Sequence, residues 1–454
     1  MKKNKGFRWK RNRKKNIWII VSVVAVIILA FIGILIFVQY LGEKAFVSRE
    51  TSTNLMELEA EKTETGIELE SEAGSESEAG PKAGLEADLE SEDLSEDSEL
   101  SLEETDSEIA EADGTVEEQL SWKEDHVKVH GIYVTGPMAG SSGMENLITL
   151  LDETELNTMV IDVKDDFGNI TYDMNLSSVQ ELGNCIKYIR NMEDLMATLK
   201  EHNIYTIARI VCFKDNCLAM GRPELALKTS DGTYVTDSNG ICWVNPYSEE
   251  VWAYLTEIAE EALAIGFDEV QFDYVRFPVG NVANAADYGV DMESYPKEQA
   301  IASFLSYVKE HLGDRAVVGA DLFGTVIGNE VDKERVGQDY EILGETVDVL
   351  CPMVYPSHYA NGVFGLSVPD AYPYETVLGA LNNSVIELSK IEYEKSAVVR
   401  PWLQAFTATW VDGFISYGGE QIRAQIQAVY DAGYDEWILW NASNRYSADG
   451  LLPQ

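Results

Sequence analysis

The chain has 454 residues with 78 acidic and 34 basic side chains, for a net charge of −44, and 45% of its residues are hydrophobic. A charge of this sign repels phosphates, so nucleic-acid binding is excluded as a working hypothesis. The 5 cysteines are too few for a scaffold built on disulfides. Hydrophobic packing therefore has to hold the fold together.

The first 42 residues predict a membrane anchor. Residues 1–16 form a basic cytoplasmic tail, and residues 17–42 carry no charged side chain. This run can cross a hydrocarbon core of about 30 Å at about 1.5 Å per residue, and it is longer than the apolar region of a cleaved signal peptide, which is the alternative interpretation. The basic tail predicts a single-pass protein of the cell membrane with a cytoplasmic N-terminus and an extracellular C-terminal domain.

Residues 43–120 read as a disordered acidic linker. They contain 27 Asp and Glu against four Lys and Arg, with almost no aromatic residues. Such a segment buries too little apolar surface to offset the chain entropy of folding. A coiled stalk is the alternative. Either structure would hold the working domain, residues 121–454, away from the membrane.

Residues 121–454 alternate between short apolar runs and amphipathic stretches, the pattern of βα units. The predicted strands are 129–135, 158–164, 205–213, 269–277, 316–323, 348–355, 397–406 and 436–441. The predicted helices are 144–155, 192–202, 248–265, 297–311, 337–345, 374–391 and 419–432. This count favours a (β/α)₈ TIM barrel, whose active site lies at the C-terminal ends of the strands. A doubly wound sheet is less consistent, because no Gly-rich phosphate loop follows the first strand.

Polar side chains recur on alternate positions of the predicted strands. Residues of one parity face the barrel lumen together, so we expect these side chains to meet at one mouth. They are Asp162, Lys164, Arg209, Gln271, Asp273, Asp321, Tyr355, Arg400, Trp402 and Gln404.

Asp273, in EVQFDYVRFP, and Asp321, in VVGADLFG, are the candidate catalytic residues. Neighbouring strands are about 4.8 Å apart, which allows the separation of about 5 to 5.5 Å found in retaining glycosidases, and a longer, inverting separation is equally compatible. One carboxylate would act as nucleophile or base and the other as acid. The structural alternative for Asp273 is an ion pair with Arg276.

The segment IDVKDDFG places Asp162, Asp165 and Asp166 close together. Asp162 is a candidate for orienting a sugar, whereas Asp165 and Asp166 are expected to brace a loop. Grouped carboxylates also suit Ca²⁺ or Mg²⁺, but no EF-hand spacing is present, so no metal or other cofactor is predicted. A disulfide or a metal site among Cys212, Cys217 and Cys242 is less favoured than incidental proximity.

Aromatic side chains at strand ends could pack against the apolar faces of sugars. They are Tyr133, Trp243, Tyr274, Tyr355, Tyr359, Trp402 and Trp440, of which Tyr274 and Trp440 have the parity expected of residues facing the helices. His358 and Asn441 lie where loops meet the mouth. The predicted substrate-binding residues are Tyr133, Asp162, Lys164, Arg209, Gln271, Arg276, Tyr355, His358, Trp402, Gln404 and Asn441.

Several motifs resemble a bacterial family classed by inference as glycoside hydrolases with a TIM barrel. They are HGIYVTG, VIDVKDDFGNITYD, GFDEVQFDYVRFP, GADLFG and DVLCPMVYPSHY, and the resemblance spans residues 130–444. In alpha-amylase-like and alpha-galactosidase-like barrels the nucleophile is an Asp that ends strand four, which the resemblance places at Asp273. The amylase-like acid is a Glu after strand five, where this chain has Asp321.

These observations favour a membrane-anchored, extracellular glycoside hydrolase that acts on a cell-envelope or extracellular polysaccharide through paired carboxylates. The alternative is a non-catalytic, glycan-binding barrel that serves as an envelope scaffold or sensor. An enzyme has to place its two carboxylates within about 10 Å of each other around an open cleft, whereas a binding barrel does not.

Overall fold

The computed structural model describes residue 123 and residues 126–280, 283–313 and 316–454. Within them, eight parallel strands form a closed barrel, because the first strand pairs with both the second and the last. The strands are β1 His130–Val134, β2 Thr158–Lys164, β3 Tyr205–Val211, β4 Glu269–Asp273, β5 Val317–Phe323, β6 Val349–Met353, β7 in two pieces, Val398–Val399 and Trp402–Gln404, and β8 Trp437–Trp440. The predicted eight-stranded barrel is confirmed.

Helices connect successive strands. They are α1 Gly136–Ala139, α2 Met144–Glu153, α3 Ser177–Leu182, α4 Met192–Glu201, α5 Asn216–Gly221, α6 Glu249–Ile265, α7 Lys297–Leu312, α8 Glu330–Val336, α9 Tyr340–Thr346, α10 Pro373–Leu388 and α11 Gly419–Asp431. Each of the seven predicted helices overlaps an observed one. The sequence pattern missed the shortest helices and four accessory strands, Ile170–Tyr172, Cys185–Ile189, Lys228–Thr229 and Ala286–Asp287.

The apolar side chains form two separate clusters. The larger one fills the layer between the strands and the surrounding helices. The smaller one lies inside the barrel and contains Val129, Tyr133, Val160, Ile207, Val349, Cys351, Tyr355, Trp402, Ile438 and Trp440. These residues show which positions of each strand face the lumen, and the polar residues of the site occupy the same positions nearer the C-terminal ends.

Seven of the eight strands are shorter than predicted, and the two with the largest differences have a local cause. β4 ends at Asp273 because Tyr274 has a left-handed backbone with φ of 49°, a conformation that a bulky side chain rarely adopts and that cannot continue a strand. β7 is interrupted at Pro401, which has no N–H to donate to a neighbouring strand.

The predicted membrane anchor, residues 17–42, and the predicted linker, residues 43–120, lie outside the described residues. Among the helices that the structure describes, none is both long and apolar enough to cross a bilayer. All five cysteines, including Cys212, Cys217 and Cys242, are described and free.

Candidate active site

Arg209 is the centre of an ion-pair network in the lumen. It projects from β3 and is fully buried. Its Nη1 donates to Asp162 Oδ1 at 2.7 Å, and its Nε and Nη2 donate to Asp273 Oδ2 at 2.9 and 2.6 Å. Nη2 also donates to Asp166 Oδ1 at 3.2 Å. One guanidinium therefore binds carboxylates from β2, β4 and the loop after β2.

In this network, the neighbouring charges and burial shift the pKa values of Arg209 and Asp162 in opposite directions. Burial alone would lower the pKa of Arg209, but the carboxylates of Asp166, Asp273 and Asp162 raise it well above its ordinary range. For Asp162, burial raises the pKa to about 6, although the charge of Arg209 acts in the opposite direction. Asp162 also accepts a hydrogen bond of 2.7 Å from the Tyr133 hydroxyl. Asp162 is therefore a group that titrates near neutral pH.

Asp273 ends β4 and is held from both sides. Its Oδ2 accepts from Arg209, and its Oδ1 accepts a 2.6 Å hydrogen bond from the backbone N–H of Tyr274, the residue with the left-handed backbone. Backbone strain of this kind often lies at functional sites. Asp273 forms an ion pair with Arg209 on the neighbouring strand.

Asp321 lies on β5, next to β4. Phe272 pairs with Ala320 across these strands, so the residues that follow, Asp273 and Asp321, lie at the same height in the lumen. Gln271 Nε2 and Trp402 Nε1 both donate to Asp321 Oδ1, each at 2.5 Å. Asp321 Oδ2 is buried and has no hydrogen-bond partner among the described residues.

The environment of Asp321 favours the protonated form of its carboxyl group. Burial raises the pKa of Asp321 well above its ordinary range, and the nearby charge of Asp273 raises it further. Both effects favour the protonated form of Asp321. Because its Oδ1 already accepts two N–H donors, a proton on this group would lie on Oδ2. A carboxyl group that favours its proton, next to a second carboxylate, is the arrangement used for acid and base roles in glycosidases.

Aromatic rings cover the Arg209 side of the lumen. Tyr133 stacks on Trp440 with ring centroids 4.0 Å apart, and the Arg209 guanidinium carbon lies 5.4 and 5.5 Å from these two rings. The prediction that Trp440 faces the helices is wrong. Gln404 pairs with Trp440, and laterally paired residues share a face, so Trp440 points into the lumen. Trp243, Tyr274 and Tyr359 lie in the outer cluster instead.

The prediction that Lys164 joins the lumen network is corrected by the structure. Asp162 pairs with Arg209 of β3, but the register then shifts, so Lys164 pairs with Ile210, the residue next to Arg209. Adjacent strand residues face opposite sides of the sheet, so Lys164 does not share the face of Asp162. Its Nζ binds Asp215 Oδ2 at 2.9 Å and donates to the Val211 carbonyl. A bulge that the sequence does not reveal directs this charge away from the site.

Three other predicted binding residues are used within the protein. Gln404 donates to Asp370 Oδ1 and accepts from the Ser357 N–H. Asn441 donates to the Ala405 carbonyl, which fixes the loop after β8. Arg276 is 3% exposed and stacks over aromatic rings, with its guanidinium carbon 4.5 Å from the Phe323 ring centroid.

Arg400 lies at the opposite end of the lumen from the other polar residues. It binds Glu269 at 2.6 Å and Glu436 at 2.8 Å, and His126 contacts Glu436 from outside the strands. Glu269 begins β4 and Glu436 precedes β8, so this second network lies at the N-terminal end of the barrel. The expectation that Arg400 would meet the others at the mouth is wrong, because parity fixes the face of a strand but not the height.

The two carboxylates of the loop after β2, Asp165 and Asp166, have different roles. Asp165 accepts from the N–H groups of Phe167 and Asn169 and so braces the loop, as predicted. Asp166 instead binds Arg209, and its side chain is 18% exposed. Sequence reasoning missed this role because the direction of a loop residue is not set by strand parity. The described residues contain no group of three or more His, Cys, Asp or Glu placed to hold a metal ion.

A family model described as "Putative glycosyl hydrolase domain" matches residues 131–446. The chain belongs to this family. The match covers β1 to β8 and every residue of the Arg209 network, so the resemblance noted in the sequence is confirmed. The family and the fold together identify the described domain as glycoside hydrolase-like.

Two solved structures are similar to the chain, and the first of them shares its fold. The glycoside hydrolase domain of PgaB (BpsB) from Bordetella bronchiseptica is 13% identical over 71% of this chain and 97% of that chain, with a TM-score of 0.51. A hypothetical protein from Ruminiclostridium thermocellum is 37% identical over 42% of this chain and 96% of that chain, with a TM-score of 0.39. No curated protein matches the chain.

Proposed function

We propose that the domain hydrolyses glycosidic bonds, with Asp273 as nucleophile or base and Asp321 as acid. The observation that carries the proposal is the pairing of unlike carboxyl groups on adjacent strands at one height. Asp273 is bound by a buried cation, whereas the pKa of Asp321 is raised well above its ordinary range and its Oδ2 has no partner among the described residues. This pairing places a carboxylate that binds a cation beside a carboxyl group that favours its proton.

The proposed substrate is a cell-envelope or extracellular polysaccharide. The support comes from the sequence, where the uncharged residues 17–42 follow a basic tail and precede a long acidic segment. We propose that residues 17–42 anchor the protein and that the domain faces outward. Protease added to intact cells should then release the domain. Protection of the domain in intact cells would contradict this topology.

The test of hydrolysis is reducing-sugar release from a panel of envelope glycans by the full-length protein. Asp273→Asn and Asp321→Asn should each reduce the rate by at least about 10²-fold, the contribution of a positioned acid or base. The matched control is Asp173→Asn, which makes the same change at an exposed ion pair with Lys187. Loss of activity in the control as well would show damage to the fold.

A second substrate separates the two roles. A dinitrophenyl glycoside has a leaving group that needs no proton, so Asp321→Asn should keep nearly the wild-type kcat/KM on it, whereas Asp273→Asn should not. Equal losses for the two variants on this substrate would remove the assignment of Asp321 as acid.

One observation favours a second candidate function. Asp273 is 6% exposed and Asp321 is 1% exposed, so a substrate reaches them only through the lumen. A non-catalytic, glycan-binding barrel would need no such access. No release from any glycan, together with glycan binding that survives both substitutions, would establish this candidate instead.

A further inference from the structure

Four aromatic side chains form a continuous group above the carboxylates, which we call the aromatic rim: Tyr355, His358, Phe406 and Trp410. Tyr355 and His358 follow β6, and Phe406 and Trp410 follow β7, so all four lie at the C-terminal end of the barrel. The ring centroids of Tyr355 lie 5.2 Å from His358 and 6.0 Å from Phe406, and those of Phe406 and Trp410 are 5.9 Å apart with the ring planes 24° from parallel.

The aromatic rim begins next to the proposed acid. Asp321 pairs with Cys351 of β6, and Cys351, Met353 and Tyr355 follow one another on the lumen face. Burial raises the pKa of Tyr355 well above its ordinary range, and the charges of Asp321 and Asp273 raise it further. The rim therefore extends from the two carboxyl groups towards the mouth along β6 and β7.

Two ring nitrogens of the aromatic rim have no partner among the described residues. They are His358 Nε2 and Trp410 Nε1, and both atoms are buried. The other nitrogen of His358, Nδ1, contacts Ser357 Oγ at 2.9 Å. Burial lowers the pKa of His358 to about 4, so the imidazole is neutral at physiological pH. Buried polar groups without partners are uncommon in proteins, and a ligand is one way to satisfy them.

The loops that carry the aromatic rim are fixed to each other. Gln404 of β7 accepts from the Ser357 N–H at 3.0 Å and donates to Asp370 Oδ1 at 2.9 Å. Asp370 Oδ2 in turn accepts from the N–H of Ile415 at 3.2 Å. A surface held in place by such bonds loses little conformational entropy when it binds a ligand.

The aromatic rim differs in character from the opposite wall of the lumen. The β2 and β3 side presents Asp162, Asp166 and Arg209, whose charges are already paired. The rim presents neutral rings, which suit the apolar face of a sugar, and unpaired ring nitrogens, which suit its hydroxyl groups. Asp321 lies on the rim side because β5 is adjacent to β6.

We propose that the aromatic rim is a glycosyl-binding subsite that holds the sugar on the leaving-group side of the scissile bond. The inference rests on the proposed function, because it places the leaving sugar on the side from which Asp321 delivers its proton. Trp410 would stack on the sugar ring, and His358 Nε2 would bind one of its hydroxyl groups.

The test compares Trp410→Ala, Trp410→Phe and Phe414→Ala in the full-length protein. Phe414 follows the same strand and is 41% exposed, which makes Phe414→Ala a matched control for loss of an aromatic ring. The probes are the pentasaccharides of β-1,4-linked glucose, α-1,4-linked glucose and β-1,4-linked N-acetylglucosamine, with dissociation constants measured by calorimetry. The dinitrophenyl glycosides of the same sugars report cleavage without a sugar on the leaving-group side.

Trp410→Ala should weaken binding of the preferred pentasaccharide about tenfold, as expected for one aromatic contact. Trp410→Phe should restore most of the affinity, and Phe414→Ala should match the wild-type protein. Unchanged pentasaccharide affinity in Trp410→Ala would overturn the subsite while leaving hydrolysis intact. Weakened binding by Trp410→Ala in a protein that cleaves no glycan would support sugar binding at the rim, but it would overturn hydrolysis and with it the assignment to the leaving-group side. Binding of no pentasaccharide would overturn the subsite.

Discussion

Asp162 is expected to destabilise the folded protein at neutral pH. Burial raises its pKa from 3.8 to about 6 despite the charge of Arg209. Between these values the folded chain keeps a proton that the unfolded chain has released, so the free energy of unfolding falls as the pH rises through this window. At about 1.36 kcal/mol per pH unit, the loss is about 3 kcal/mol by pH 7.

Replacement of Asp162 by Asn removes this dependence. Asn has nearly the same shape, is neutral at every pH, and can still accept a hydrogen bond from Arg209 through its oxygen. We therefore expect Asp162→Asn to be more stable than the wild-type protein by up to about 3 kcal/mol at pH 7 and equally stable near pH 4. Activity should fall in the same variant if Asp162 orients the substrate, a trade-off that is common at functional sites.

The assay is urea unfolding followed by tryptophan fluorescence at pH 4 and at pH 7. Asp173→Asn serves as the control because the Asp173 side chain is 58% exposed, so it should change neither measurement noticeably. An Asp162→Asn protein that is less stable than the wild type at pH 7, or whose difference from the wild type does not change with pH, would refute the reasoning.

Two further predictions concern the hydrogen bonds at opposite ends of the lumen. Trp402→Phe removes a hydrogen-bond donor that lowers the pKa of Asp321. The alkaline limb of the kcat/KM profile against pH should therefore move to higher pH by about one to two units. A limb that stays in place would count against Asp321 as acid. Arg400→Met leaves Glu269 and Glu436 buried without their cation, and it should lower the free energy of unfolding in urea by about 3 to 5 kcal/mol at pH 7. The loss should be smaller at lower pH, where these carboxyl groups can take up protons. A loss under about 1 kcal/mol would contradict the role of this network.

The architecture could be predicted from the sequence because it depends on local patterns. Buried parallel strands are continuous apolar runs, and the helices between them have one apolar face, so both can be recognised one segment at a time. The errors in strand length have local causes as well. The break at Pro401 could have been predicted from the missing N–H, whereas nothing in the sequence marks Tyr274 as left-handed.

The candidate site could be predicted only in part. Parity identified Asp162, Arg209, Asp273 and Asp321, because these residues follow regular strands. It failed for Lys164, where one irregular pairing reverses the face of the strand. Height along the barrel and the direction of loop residues are set by long-range packing, so no local pattern could separate the two ends of the lumen or bring Asp166 to the site.

The roles proposed for Asp273 and Asp321 follow from the position of a single cation. The guanidinium of Arg209 binds Asp162, Asp166 and Asp273, and each of these contacts stabilises an ionised carboxylate. Asp321 accepts hydrogen bonds from the neutral N–H groups of Gln271 and Trp402, and burial and the charge of Asp273 raise its pKa. The placement of the cation on β3, two strands away from Asp321, is therefore what makes the two carboxyl groups unlike.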